Sequence, residues 1–151
     1  LSVYKIVTVP DPILRQKAQK VEKVNAGVLR LLDNMRDTMY AADGIGLAAP
    51  QIGVSKRVIV IDPGDQLIEM INPEIITREG EQTAREGCLS VPDLVGWCKR
   101  AQLITVRGMN RDGEEIEMEA SDLLARAFQH EIDHLDGILF PDKAIQTRKE
   151  K

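Results

Sequence analysis

Between residues 121 and 137 the apolar and polar positions recur with the period of a helix. At about 100° per residue, Leu123, Leu124, Ala127, Phe128, Ile132 and Leu135 gather on one broad arc, while Asp122, Arg126, Gln129, Asp133 and Asp136 share the opposite side with Ala125. The ends agree with a helix. Ser121 suits an N-cap, Asp122 suits the positive end of the dipole, and Gly137 can end the helix. An earlier helix is expected after Asn25, where Val28, Leu31, Leu32, Met35 and Met39 have helical spacing. Pro10 and Pro12 keep the chain irregular before it.

Strand patterns lie between the two helices. Val58-Ile59-Val60-Ile61 is an apolar run closed by Asp62-Pro63-Gly64 and reads as a buried strand, with residues 67–71 as its partner. Asn72-Pro73 is expected to break the chain before extended stretches at 74–77 and 83–89. Residues 102–107 alternate, Asn110-Arg111-Asp112-Gly113 makes a turn, and 115–119 completes a hairpin. Strands thus come in runs between helices rather than alternating with them. That order predicts an α+β fold, with mostly antiparallel sheets packed around a central helix that carries the histidines.

Composition adds bounds. A chain of 151 residues suits one domain, expected over 1–144, with 145–151 as a polar, frayed tail holding Arg148, Lys149 and Lys151. A formal charge of −4 gives no general reason to bind nucleic acid. No apolar run approaches the roughly 20 residues that cross a bilayer, and the amino terminus lacks the apolar core of a signal peptide, so no membrane partner and a cytoplasmic location are expected. A single Cys88–Cys98 bridge is disfavoured in a cytosolic chain of this size.

Both histidines fall within His130-Glu131-Ile132-Asp133-His134. A helix sets them one turn apart on the apolar arc, with Glu131 beside them, where a metal would compensate the cost of burying ionisable groups. Two histidines bonded to backbone, with Glu131 paired to an arginine, would also fit the pentapeptide. A catalytic zinc-type site needs a third ligand. One protease class supplies it as His-Glu-x-x-His-x-x-Gly-x-x-His; here Gly137 is in register, but Phe140 stands where the last histidine belongs, which excludes that class. Asp136 and Asp142 lie too near the helix end, and Glu150 is in the tail. Upstream, Cys88 offers a thiolate beside Gly87, which would let backbone approach a metal or substrate. A buried, inert cysteine fits the same pattern equally well.

Three stretches, GIGLAAPQ at 44–51, EGCLS at 86–90 and QHEIDH at 129–134, in that order and spacing, resemble the signature motifs of the peptide deformylases, and VPDPILR at 9–15 extends the likeness. The resemblance implies an enzyme that removes the formyl group from the initiator methionine of nascent polypeptides and releases formate. By motif, Cys88, His130 and His134 would bind one divalent metal ion, and Glu131 would be the acid/base. The metal would be Fe2+ in the cell, with Zn2+, Ni2+ or Co2+ able to occupy the same site; spacing does not choose among them. The Leu89 backbone N–H and the Gln51 side chain would stabilise the oxyanion. Ile45, Gly46 and Gly87 would offer backbone contacts to an N-formylmethionyl peptide, and Leu123, Ala127 and Ala84 would line a methionine pocket. Glu86 and Asp133 would orient the imidazoles. Arg126 is more polar than such a pocket suggests and is expected on its rim, touching the peptide. Transient proximity to the ribosome is implied too, although the stretch after Ala144 is short for the carboxy-terminal helix some members use there. A small metallopeptidase and a metal-stabilised binding module without turnover are the competing readings.

Overall fold

The computed structural model describes residues 3–150; Leu1 and the tail residue Lys151 lie outside the described residues. In chain order the elements are α1 (Ala26–Ala41), β1 (Gly46–Ala48), β2 (Val58–Ile61), β3 (Ile68–Glu79), β4 (Gln82–Cys88), β5 (Val91–Arg100), β6 (Leu103–Met109), β7 (Glu115–Ser121), α2 (Asp122–Leu135), α3 (Phe140–Lys143) and β8 (Ala144–Lys149). The strands form a five-stranded sheet ordered β1-β2-β3-β6-β7 and a three-stranded sheet ordered β4-β5-β8. Every strand pair is antiparallel. The expected α+β architecture is therefore the one observed.

The apolar run of β2 is explained by burial on both faces. Val58 and Val60 pack with Val28, Leu31, Leu32, Met35 and Met39 of α1. Ile59 and Ile61 turn the other way and pack with Ala125, Phe128, Ile132 and Leu135 of α2. Successive strand residues face opposite sides, so one four-residue strand serves two cores. A third cluster joins Leu14, Val91, Cys98, Leu139 and Phe140 under the small sheet.

Helix ends follow the local chemistry. The Asn25 side chain accepts from the Val28 N–H at 3.0 Å. At the far end of α2, the Gly137 N–H bonds His134 O and the Ile138 N–H bonds Asp133 O, the two bonds of a Schellman stop. Gly137 sits at φ +74, and a Cβ there would meet Arg15 O at 2.5 Å. At the start of α2, Ser121 occupies the N-cap position but its side chain makes no capping bond.

Four expectations need correction. Asn72-Pro73 does not end a strand: it forms a bulge inside β3, with Asn72 at φ +53 and a register shift between Ile71 and Glu74. The Asn72 side chain clasps Val21, accepting from its N–H at 2.9 Å and donating to its carbonyl at 2.8 Å, and a bulge tolerates the proline that a regular ladder would reject. Part of the polar side of α2 is buried as well: Arg126 bonds Glu86 on β4 and the Cys98 carbonyl on β5, and Gln129 bonds the Ala101 backbone, while Asp122 and Asp136 stay exposed. Residues 145–149 are not a frayed tail but belong to β8, paired with β5 from Leu94↔Lys149 to Cys98↔Ala144; their side chains stay exposed, which is why their polarity hid the strand. Arg126 is no rim residue, being 6% exposed. The hairpin of β6 and β7 is as expected, with Leu103↔Ser121 and Met109↔Glu115 in register. Cys88 and Cys98 are both free thiols.

Candidate metal centre and cleft

Two elements bring the site together. Helix α2 carries His130 and His134 one turn apart, with ring centroids 5.1 Å apart. Cys88 ends β4, where a register shift between Gly87 and Cys88 turns the strand. Its sulfur lies 3.3 Å from His134 Nε2, and one donor atom from each of Cys88, His130 and His134 lies within 4.8 Å of the others.

The buried polar groups around the three donors are shared out unevenly. Glu86 Oε1 lies 2.9 Å from His130 Nδ1, which turns the other ring nitrogen towards the cysteine side. The same carboxylate accepts from Arg100 Nε at 2.7 Å and Nη2 at 2.8 Å, and from Arg126 Nη1. Burial alone would push the Glu86 carboxyl up, but hydrogen bonds from Arg100 and His130, reinforced by their charges, bring it down to about 2. Burial holds His134 neutral, helped by the charges of His130 and Arg100. Asp133 bonds neither imidazole: it accepts from Arg100 Nη1 at 2.8 Å and Lys143 Nζ at 3.0 Å, so it reaches His130 only through Arg100 and Glu86.

Glu131 is treated differently. The residue is 5% exposed, Oε1 makes no hydrogen bond among the described residues, and burial outweighs the charges of His130 and Arg100 and pushes the carboxyl up to about 7. Gly46 on β1 makes the room, since a Cβ there would meet Glu131 Oε2 at 2.6 Å. Gln51 is buried and fixed from both ends: Oε1 accepts from the Ala48 N–H at 2.9 Å, and Nε2 donates to Ser90 Oγ at 3.1 Å and points at Cys88 Sγ, 3.6 Å away.

A cleft of about 410 Å³ opens over these groups. Ile45, Gly46, Gln51, Glu86, Gly87, Cys88, Leu89, Leu123, Ala127, His130 and Glu131 all line it, as do Asp43, Arg85 and Arg126; Ala84 and Asp133 do not. Ile45 and Leu123 are among the exposed large apolar side chains, and both belong to this cleft, as an apolar ligand's contacts would require. Sequence reasoning missed Arg100 and Ser90. Arg100 ends a strand with no legible alternation, while Ser90 stood within the EGCLS motif and could have been read as a partner for Gln51.

The donor set fits a divalent cation. Two imidazoles and a thiolate supply three ligands of the type a catalytic site uses while keeping a position open, and an orphaned, buried carboxylate oxygen stands beside them. Such a cleft defines a metal-assisted hydrolase. A family model described as polypeptide deformylase matches residues 3–150. The peptide deformylase of Syntrophomonas wolfei is 63% identical over 151 residues, covering 100% of this chain and 99% of that protein. Among solved structures, the peptide deformylase of Thermotoga maritima superposes with a TM-score of 0.94 at 40% identity, covering 97% of this chain and 100% of that one. That of Synechococcus elongatus, in complex with actinonin, gives 0.92 at 38%, covering 95% and 79%. The chain belongs to the peptide deformylase family, whose members are metal-dependent enzymes that remove the N-formyl group from nascent polypeptides.

Proposed function

We propose that Cys88, His130 and His134 hold one divalent metal ion, Fe2+ in the cell, and that Glu131 moves the proton in hydrolysis of the formyl amide of an N-formylmethionyl peptide. The observation that carries this reading is the unequal treatment of the two buried glutamates. Glu86 is tied down by two guanidinium groups and an imidazole, whereas Glu131 keeps a free oxygen in the same cleft. A cation held by the three donors would polarise the formyl carbonyl and lower the pKa of water near it. Glu131 takes a proton from the attacking water and returns it to the leaving amine; burial raises its carboxyl towards neutrality, where acceptance and donation are balanced. Gln51, locked by Ala48 and Ser90, and the Leu89 backbone N–H stabilise the developing oxyanion.

The peptide lies along the edge of β4, between Gly87 and the Ile45-Gly46 wall. The Ile45 carbonyl already accepts from the Asp62 N–H at 2.7 Å, so its own N–H is what it offers. Leu123 and Ala127 take the methionine side chain. Glu86 fixes the tautomer of His130 by accepting from Nδ1. The reaction takes place in the cytoplasm, close to ribosomes releasing new chains; among the described residues no helix is long and apolar enough to cross a membrane.

The test is formate release from an N-formylmethionyl tripeptide by protein purified without oxygen, with the metal content measured in the same sample. Glu131→Gln should keep its metal and its unfolding midpoint while activity falls at least 10²-fold, at the lower end of what general acid–base catalysis supplies. Normal turnover by that variant overturns the assignment. Cleavage of internal bonds in the unformylated tripeptide would instead mark a metallopeptidase.

A further inference from the structure

The cleft has two charged side chains that the proposed chemistry leaves unused, Asp43 beside the Gly44-Ile45-Gly46 wall and Arg85 on β4. Among the described residues β4 pairs only with β5, so its other edge is open. Its residues alternate: Glu86 is buried, while Thr83, Arg85 and Gly87 are exposed on the opposite face. An extended peptide lying along that edge alternates in the same way. With the methionine side chain turned inward to Ala127, the next side chain faces outward. Gly87 leaves space there, since a Cβ on it would have nothing within 4 Å. Arg85 is the charged residue β4 presents to that face.

Arg85 does not act alone. It donates to Glu150, which follows β8 and also accepts from Arg148 Nη2 at 2.9 Å. The Glu150 N–H is anchored on Asp93 O at 2.8 Å, and the Arg148 guanidinium lies 5.4 Å from the centroid of the Trp97 ring, the residue that pairs with Arg85 across β4 and β5. Within this cluster, of which Arg85 lines the cleft, two cations and one anion leave one positive charge, and without the Glu150 carboxylate there would be two; Asp43, the other unused charge lining the cleft, is an anion outside the cluster.

From this arrangement, which rests on the peptide placement proposed above, we infer that Arg85 and Glu150 form a charge filter for the residue following the methionine. Arg85 favours an acidic side chain and disfavours a basic one, and Glu150, delivered by the last strand, limits how strongly. Both side chains are well exposed, at 50% and 40%, so solvent and salt screening keep the effect to about twofold to fivefold in kcat/KM.

The test uses three peptides, N-formyl-Met-Xaa-Ser with Xaa Glu, Gln or Lys, and formate release at low ionic strength by the metal-loaded protein and its Glu150→Gln and Arg85→Gln variants. The starting protein should prefer Glu over Lys by about twofold to fivefold, chiefly through KM, and the preference should shrink in concentrated salt. Glu150→Gln should widen that ratio about twofold further, and Arg85→Gln should bring it close to one. A ratio unchanged in Arg85→Gln, or a preference for Lys in the starting protein, overturns the filter while leaving the deformylase reading intact. Formate release from none of the peptides overturns the reading of the cleft and the filter with it.

Discussion

Helix α2 meets two sheets, and the two interfaces are built from opposite materials. Against the five-stranded sheet it presents Phe128, Ile132 and Leu135 to Ile59, Ile61, Ile104 and Val106, an interface with directionless cohesion. Towards the three-stranded sheet it presents Arg126 and Asp133, which meet Glu86 and Arg100, and Gln129, which meets the backbone of Ala101 just past β5, all through hydrogen bonds of defined geometry. The first interface supplies stability in proportion to area. The second supplies position: a buried ion pair contributes little net stability because desolvation offsets the attraction, but it leaves only one arrangement in which every group is satisfied. His130 and Cys88 belong to the second, and if they ligate a metal as proposed, that is where they would have to be held to within fractions of an ångström.

The comparison can be broken most forcefully at Phe128, which is fully buried on the apolar side. Phe128→Ala should cost about 3–5 kcal/mol in a urea or guanidinium titration, with metal binding retained by the molecules that remain folded. A loss of metal affinity that exceeds the loss of stability would mean that the apolar interface also sets the ligand geometry.

Acid tests the other interface. The folded Glu86 carboxyl is held at about 2, against the ordinary 4.5 of a glutamate. Its contribution to stability is therefore complete above about pH 4.5 and disappears as the pH falls towards 2. The gap corresponds to about 3 kcal/mol. In metal-stripped protein, the stability difference between the starting chain and Glu86→Gln should shrink by that order between pH 5 and pH 2. A difference that stays constant would mean that the guanidinium groups do not hold the carboxylate as described.

The smallest effect sharpens the contrast from outside both interfaces. Asn25 caps α1 on the far face of the large sheet, and Asn25→Ala should cost about 1 kcal/mol of stability, read as a lower unfolding midpoint, with kcat/KM for formate release unchanged. A comparable fall in activity would show that the far helix is coupled to the cleft.

Legibility followed burial. The elements read from the sequence include those whose pattern reports a buried face, α1, α2, β2 and the β6–β7 hairpin, together with β4 and, as two pieces, β3. Those missed have patterns that packing on one side does not reveal. β5 carries Gly96, Cys98 and Arg100 inward and Trp97 and Lys99 outward, β1 has three residues, and β8 is polar because its side chains face solvent. At the site, the residue types and their order were legible in three short motifs, including Cys88, whose local pattern alone left it open between ligand and inert thiol. The partners of Glu86 were not legible, because Arg100, Arg126 and His130 converge on it from a strand and a helix far apart in the chain.

The amino-acid sequence by itself determined the helical face that carries His130, Glu131 and His134, the apolar strands it would pack on, and the chemistry of the residues available, because periodicity and side-chain type are local properties. Only the tertiary structure decided that Cys88 meets those imidazoles, that Glu86 is neutralised while Glu131 is left free, and that Glu150, just past the last strand, bonds the cleft residue Arg85. Those outcomes depend on distances between segments dozens of residues apart, which no local pattern encodes, and on burial, which sets how strongly each charge is felt.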